Sequence, residues 1–283
     1  MYGYSYQYGR IIGKGGGAAP FVGLLDTYSG AAAAYSLRQL RAAYSGDAIR
    51  VRRLSDNAEL NIGFVSNELD TSALTTFASG TDAFVTTWYD QSGSGYNALQ
   101  TTATSQPQIV SSGSVLLENG KAAINFLNSK EFLITVPSTF FGLNDISAFL
   151  VTRTISTDTG GLSQKRDGFL AGNFGIGVTA GKYQFQTRNG AISSSVDSTN
   201  PYSTQQILSV VRNSSGLYMN SPETKFTSSA VADLTSSGLW KFGSGDSYGI
   251  LDGSIQEKII YLIDQTSNAS GIETNINDYY ATY

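Results

Sequence analysis

Residues 83–99 read AFVTTWYDQSGSGYNAL, and this stretch changes character at its middle. Phe84 to Tyr89 form an apolar, β-branched and aromatic run that stops at Asp90; glycine then alternates with small polar residues through Ser92, Gly93, Ser94 and Gly95. That is a buried strand running into a tight loop whose shape is set by the backbone. Gly93 and Gly95 tolerate positive φ, and Asp90 is placed to accept from its own chain two residues on. Two readings stay open for the loop: a structural turn, and a polar rim binding a hydroxyl-rich ligand beside Trp88 or Tyr96. With one carboxylate it lacks the alternating ligands of a calcium loop.

Outward from this stretch the chain repeats the same grammar. Short strands are expected near 49–54, 60–65, 108–110, 121–126, 132–136 and 146–154, and again near 168–178, 182–187, 206–212, 217–220, 239–243 and 253–263. Gly, Asn, Ser and Pro punctuate them. Regular short strands of this kind predict an all-β sandwich or jelly roll rather than a parallel α/β sheet. Short peripheral helices are expected at three places. Residues 26–46 read as the first, with Ser29 as cap, Ala31 to Ala34 as helix formers, Ala33, Leu37, Leu40 and Tyr44 on one face and Gly46 as stop. Residues 72–78 read as the second, with Leu74 and Phe77 inward. The third closes the chain, capped by Ser267 or Asn268, with Ile272, Ile276, Tyr279 and Tyr280 as its apolar stripe. Residues 190–205, rich in Ser and Thr, read as a long surface loop.

Residues 1–23 differ from the rest. Tyr2, Tyr4, Tyr6 and Tyr8 alternate with small or polar residues, Ile11 and Ile12 follow, and Gly13 to Gly17 form a flexible stretch. Such a segment makes no core alone. It reads as an extended attachment arm that adds to another chain or docks in a groove, or packs back on its own domain. The chain therefore divides into an arm, 1–23, and one sandwich domain, 24–283.

Composition narrows the chemistry. The 283 residues carry a net charge of −4 and only 14% charged side chains, so no counterion-release surface for nucleic acid is expected. Arg50, Arg52 and Arg53 read as a solvated or ion-paired strand face. There is no cysteine and no histidine, which removes disulfides, thiolate nucleophiles, Ser-His-Asp catalysis and nearly every zinc site. No cofactor or metal is expected. No segment is apolar for long enough to span a bilayer, and the start lacks the apolar run of a signal peptide, so synthesis in a cytoplasm without secretion by that route is expected.

The run from Tyr35 to Leu54, the stretch VTTWYDQSGSGYNA at 85–98, Gln106-Pro107, NGKAAINF at 119–126 and the final hairpin with its helix resemble the catalytic domain of α-L-arabinofuranosidase B, glycoside hydrolase family 54. The resemblance implies a concanavalin A-like β-sandwich and, for hydrolysis with retention, two carboxyl groups about 5–5.5 Å apart. It places the nucleophilic glutamate shortly after a Gly-Asn pair. The matching pair is Gly172-Asn173, followed by Phe174 and Gly175, with no carboxylate. It places the acid/base aspartate in a turn like Gly245-Asp246-Ser247, which retains Asp246. Asp167, Asp252 and Glu257 are the nearby carboxylates that could replace the nucleophile.

The chain also resembles modules of this kind in bacteriophage structural proteins, which typically follow a short N-terminal attachment segment. The expectation is therefore a non-enzymatic virion protein, a capsid decoration, head fibre or tail component. It would be attached to other virion proteins through residues 1–23, homo-oligomeric, and able to bind host glycans. Residues assigned to glycan binding are Asp90, Tyr96, Asn97, Asn173, Asp246 and Tyr248, with Trp88 and Trp240 as further aromatic candidates. The alternative is an arabinofuranosidase-like hydrolase with Asp246 as general acid/base.

Overall fold

A computed structural model describes residues 20–127, 129–155, 159–165, 173–189, 192–197, 204–219, 224–226, 233–245 and 249–283. Among them, 19 strands join in one antiparallel sheet that folds over on itself as a sandwich. One layer runs Thr224–Phe226, Gly216–Met219, Gln206–Asn213, Ile146–Thr154 and Gly253–Tyr261; the last strand shares its far edge between Ala31–Ser36 and Ile124–Asn125. The other runs Glu59–Ile62, Ile49–Arg53, Ala83–Trp88, Ala98–Leu99, Phe132–Ile134, Trp240–Phe242, Thr159–Lys165, Asn173–Thr179, Lys182–Asn189 and Ile192–Asp197. Gln108–Ser111 pairs with a strand of each and joins them.

Alternation decides what each strand buries, because successive side chains point to opposite faces. Ile146, Ala148 and Leu150 enter the core between the layers, while Phe149 and Val151 face the other way, toward helix α3 (Ala269–Tyr280). The interlayer core is aromatic: Tyr35, Trp88, Phe132, Phe174, Trp240 and Phe242 are all fully buried. Phe141 stacks on Phe174 with centroids 4.2 Å apart, and Tyr35 meets Phe242 edge-on at 5.1 Å. Each such pair contributes roughly 0.5–1.5 kcal/mol beyond its buried area.

The expected helix over 26–46 is not formed. Only Leu24–Thr27, α1, is helical there, and Ala31–Ser36 is a strand hydrogen-bonded to Gly253–Tyr261. Alanine's helix preference loses to tertiary packing. Ala33 and Tyr35 face the interlayer core, Ala34 faces the α3 side, and these contacts exist only for an extended chain. The expected loop over 190–205 is corrected in part: Ile192–Asp197 continues the sheet through six register pairs with Lys182–Asn189. Thr159–Lys165 is a further strand that the reading did not single out. The second helix lies at Thr71–Phe77, with Asp70 capping the Ala73 amide at 2.8 Å, and the closing helix buries Ile272, Ile276 and Tyr280 as its stripe requires.

Candidate functional site

The loop after Trp88 is closed on itself. Asp90 Oδ1 accepts from the amides of Ala34 and Ser92, each at 2.9 Å, and Oδ2 accepts from Ser92 Oγ at 2.8 Å and the Tyr96 amide at 3.1 Å. An ionised carboxylate offers about four acceptor sites, and all four directions are used. Gln91, fully buried, accepts from the Leu40 amide and donates to the carbonyls of Ser36 and Arg38. Asn97 Oδ1 accepts from the Asp90 amide, and Tyr35 donates to the Tyr96 carbonyl. Gly93 and Gly95 have φ of +97° and +79°, and a Cβ on Gly93 would press on the Arg41 guanidinium at 3.2 Å. The loop therefore fastens the Ala31–Ser36 strand to the second layer. Asp90 and Asn97, assigned above as glycan contacts, organise the loop, and their side-chain oxygens accept from the chain. Tyr96 is half-buried, its ring set edge-on against Phe140 at 5.3 Å as part of the core's margin. Both indoles are interior: Trp240 donates to Ser163 Oγ at 2.8 Å, and Trp88 has no exposed surface.

The outer face of the second layer has different chemistry. Phe174, Ile176 and Val178 point into the core, so Asn173, Gly175 and Gly177 point away from it. Register pairs place Lys241 opposite Gln164, Gln164 opposite Gly175, and Gly175 opposite Gln186. These four residues make one row across four adjacent strands, about 14 Å from Lys241 to Gln186 at the usual strand spacing. No carboxylate stands in the row. Gln164 is buried and donates to Asn173 Oδ1 at 3.3 Å; the Gln186 side chain is half-buried and has no hydrogen-bond partner among the described residues. Asn173, the next outward residue along its strand from Gly175, lies opposite Arg188. Gln164, Asn173 and Gly175 are buried, while Gln186, Arg188 and Lys241 are half-buried, so the face carries amides and two cations, groups of a kind that suits hydroxyls.

Two carboxylates considered as replacement nucleophiles lie elsewhere. Glu257 is fully buried on the α3 side, where Arg38 Nε and Nη2 bind its two oxygens at 2.8 and 2.9 Å and Ser36 Oγ donates at 2.7 Å. Burial, the largest single influence, pulls the Arg38 proton affinity down, but the charge and hydrogen bonding of Glu257, with Tyr280 and Tyr279, together outweigh it and hold the guanidinium above its ordinary value. Asp252 is exposed just before the Gly253–Tyr261 strand. Asp167, Asp246, Tyr248 and the attachment residues Tyr2, Tyr4, Tyr6, Tyr8, Ile11 and Ile12 lie outside the described residues. The hairpin that carries Asp246 is described at its base, Ser244–Gly245 against Gly249–Ile250, and Ser244 Oγ donates to Glu131. Glu131 was not singled out from sequence; it precedes the Phe132–Ile134 strand and no motif marks it. The Gln184, Gln186, Arg188 alternation was visible as polar residues between Tyr183, Phe185 and Thr187. Among the described residues no cluster of three carboxylates could hold a metal ion.

Residues 26–140 match the family model described as α-L-arabinofuranosidase B, catalytic. A mutant of a GH54 α-L-arabinofuranosidase soaked with 4-nitrophenyl α-L-arabinofuranoside superposes with a TM-score of 0.61 at 16% identity, over 92% of this chain and 65% of that one. The fold is that of the arabinofuranosidase B catalytic domain. A GH54 α-L-arabinofuranosidase soaked with a cyclic sulfate inhibitor gives the same TM-score at 15% identity, again over 92% of this chain and 65% of that one. An arabinofuranosidase complexed with arabinofuranosyl-α-1,2-xylobiose gives 0.54 at 17% identity, over 89% of this chain and 63% of that one. The chain thus spans just under two thirds of the length of these arabinofuranosidases. No curated protein sequence matches it significantly.

Proposed function

We propose that this chain is a glycan-recognising module on an arabinofuranosidase fold that has given up hydrolysis, displayed on a bacteriophage virion and attached through residues 1–23. The observation that carries the reading is Gly175. It stands where the resemblance calls for the nucleophile, between Gln164 and Gln186, so the row offers hydrogen bonds and no group to attack an anomeric carbon. A hydroxyl-rich ligand on that row meets Gln186, Lys241 and Arg188, and Asp246 and Tyr248 belong to the neighbouring hairpin by sequence. The tyrosine-alternating arm and the absence of cysteine and histidine fit a structural component joined to other virion proteins in several copies.

A glycan array probed with the full chain and with Gln186→Ala tests this. Binding to a defined set of glycans, weakened about two- to tenfold by the loss of one hydrogen-bonding amide, is the expected result. No binding by the wild-type chain to any glycan would overturn it.

One observation favours a second reading. Glu131 is held by Ser244, two residues from Asp246, so a second carboxylate adjoins the hairpin that carries the retained acid/base residue. Hydrolysis of an arabinofuranoside lost in both Asp246→Asn and Glu131→Gln would establish that reading instead.

A further inference from the structure

Away from the Gly175 row, a cavity of about 400 Å³ opens between the helix Thr71–Phe77, the hairpin Leu117–Glu118/Lys121–Ala122 and the end of α3. Its floor is apolar, from Leu37, Leu69 and Val115, and Leu117 stands at its edge with 56% of its surface exposed. Glu68 and Lys121, paired at 2.9 Å, form the charged rim. A second cavity of about 180 Å³ adjoins it, and Glu68 and Tyr279 line both. Phe21, Val22 and Gly23 line this smaller cavity, so the chain enters the fold at the groove itself, immediately after residues 1–19. Asn119 donates to the carbonyls of Tyr280 and Ala281 and pins the hairpin to the helix end, which gives the groove one fixed wall.

The segment leading into the groove has matching chemistry. Residues 8–12 read Tyr-Gly-Arg-Ile-Ile: two adjacent β-branched apolar side chains, an aromatic, and one cation. The nine residues from Ile12 to Phe21 can extend about 30 Å, well beyond what two adjoining cavities require. A tethered segment also reaches its groove at millimolar effective concentration, which a separate partner must exceed.

We propose that Tyr8 to Ile12 dock into this groove of their own chain, with Ile11 and Ile12 on the Leu69 and Leu117 surface and Arg10 at the exposed carboxylate of Glu68. The unassembled protein then keeps its attachment arm stowed, and a virion partner must compete for the arm. This inference does not depend on the glycan-binding reading.

Trypsin cleavage after Arg10 and Lys14, followed by mass spectrometry on the full chain, tests it. Two variants are compared with wild type: Leu117→Asp, at an exposed position, and Ile11→Asp/Ile12→Asp, which alters only the arm. Both are expected to release the arm at least about tenfold faster, as exposure of one apolar side chain requires, and the wild-type rate is expected to be independent of protein concentration. An unchanged rate in either variant overturns the proposal. Protection that grows with protein concentration overturns it too, in favour of a second copy as the source of the docked arm.

Discussion

The Asp90 loop and the Gly175 row are the two parts of the molecule where the family resemblance is tested, and they diverge. In the loop Asp90, Gln91 and Asn97 are turned onto the chain, and their oxygens accept from backbone amides of the loop, of the Ala31–Ser36 strand and of Leu40. In the row the position to which the resemblance assigns the nucleophile is a glycine, flanked by amides. A motif kept because the chain cannot fold without it says nothing about catalysis; the position that reports on chemistry is the one whose side chain has no folding task. On this account removing inward-facing groups costs stability, and removing outward-facing ones costs binding alone.

The largest effect is expected at Glu257. Glu257→Ala leaves the Arg38 guanidinium buried without its counter-charge and should destabilise by about 3–5 kcal/mol in chemical denaturation. Asp90→Ala follows, at about 3 kcal/mol, since the buried amide of Ala34 and its neighbours lose their acceptor; a loss below about 1 kcal/mol would return Asp90 to the list of ligand-binding residues.

Lys258 gives a smaller effect of opposite sign. It is the next residue along the strand from Glu257 but points into the interlayer core, where its Nζ lies 3.7 Å from the Phe242 centroid and has no hydrogen-bond partner among the described residues. Burial pushes its pKa well below the ordinary lysine value. Below about pH 10.4 the unfolded chain holds a proton there, and between the lowered folded value and that pH the folded chain does not. Stability therefore rises with pH across this window. Lys258→Met should raise the urea midpoint at pH 7 and flatten its rise toward pH 10; a midpoint that falls would show that the amine is needed where it stands. The smallest effect on stability is expected at Gln186. Gln186→Ala should leave the midpoint within about 0.5 kcal/mol of wild type while weakening glycan binding, the reverse of Asp90→Ala.

Much of the fold was legible because periodicity and burial agree. The apolar run at 84–89, the stripe Ile272, Ile276 and Tyr280, and the alternation in 146–154 each bury what their spacing requires. Ala31–Ser36 was not legible: a run of alanines favours a helix locally, and only the Gly253–Tyr261 strand, more than 200 residues later, makes it extended. Ile192–Asp197 was hidden for a related reason, since three serines carry no strand signal and the ladder to Lys182–Asn189 is a backbone property. For the candidate site, the missing carboxylate at Gly175 could be read from the sequence. The row around it could not, because Lys241, Gln164, Gly175 and Gln186 come from four strands whose register exists only in the folded sheet. Glu131 shows the same limit, meeting Ser244 across 113 residues.

The central claim is an arabinofuranosidase fold that binds without cleaving. Its most direct test is release of 4-nitrophenol from 4-nitrophenyl α-L-arabinofuranoside by the purified chain, beside Asp246→Asn. The account predicts no release above buffer from either protein. Turnover by the wild-type chain that Asp246→Asn abolishes would contradict it and place a working nucleophile somewhere other than Gly175.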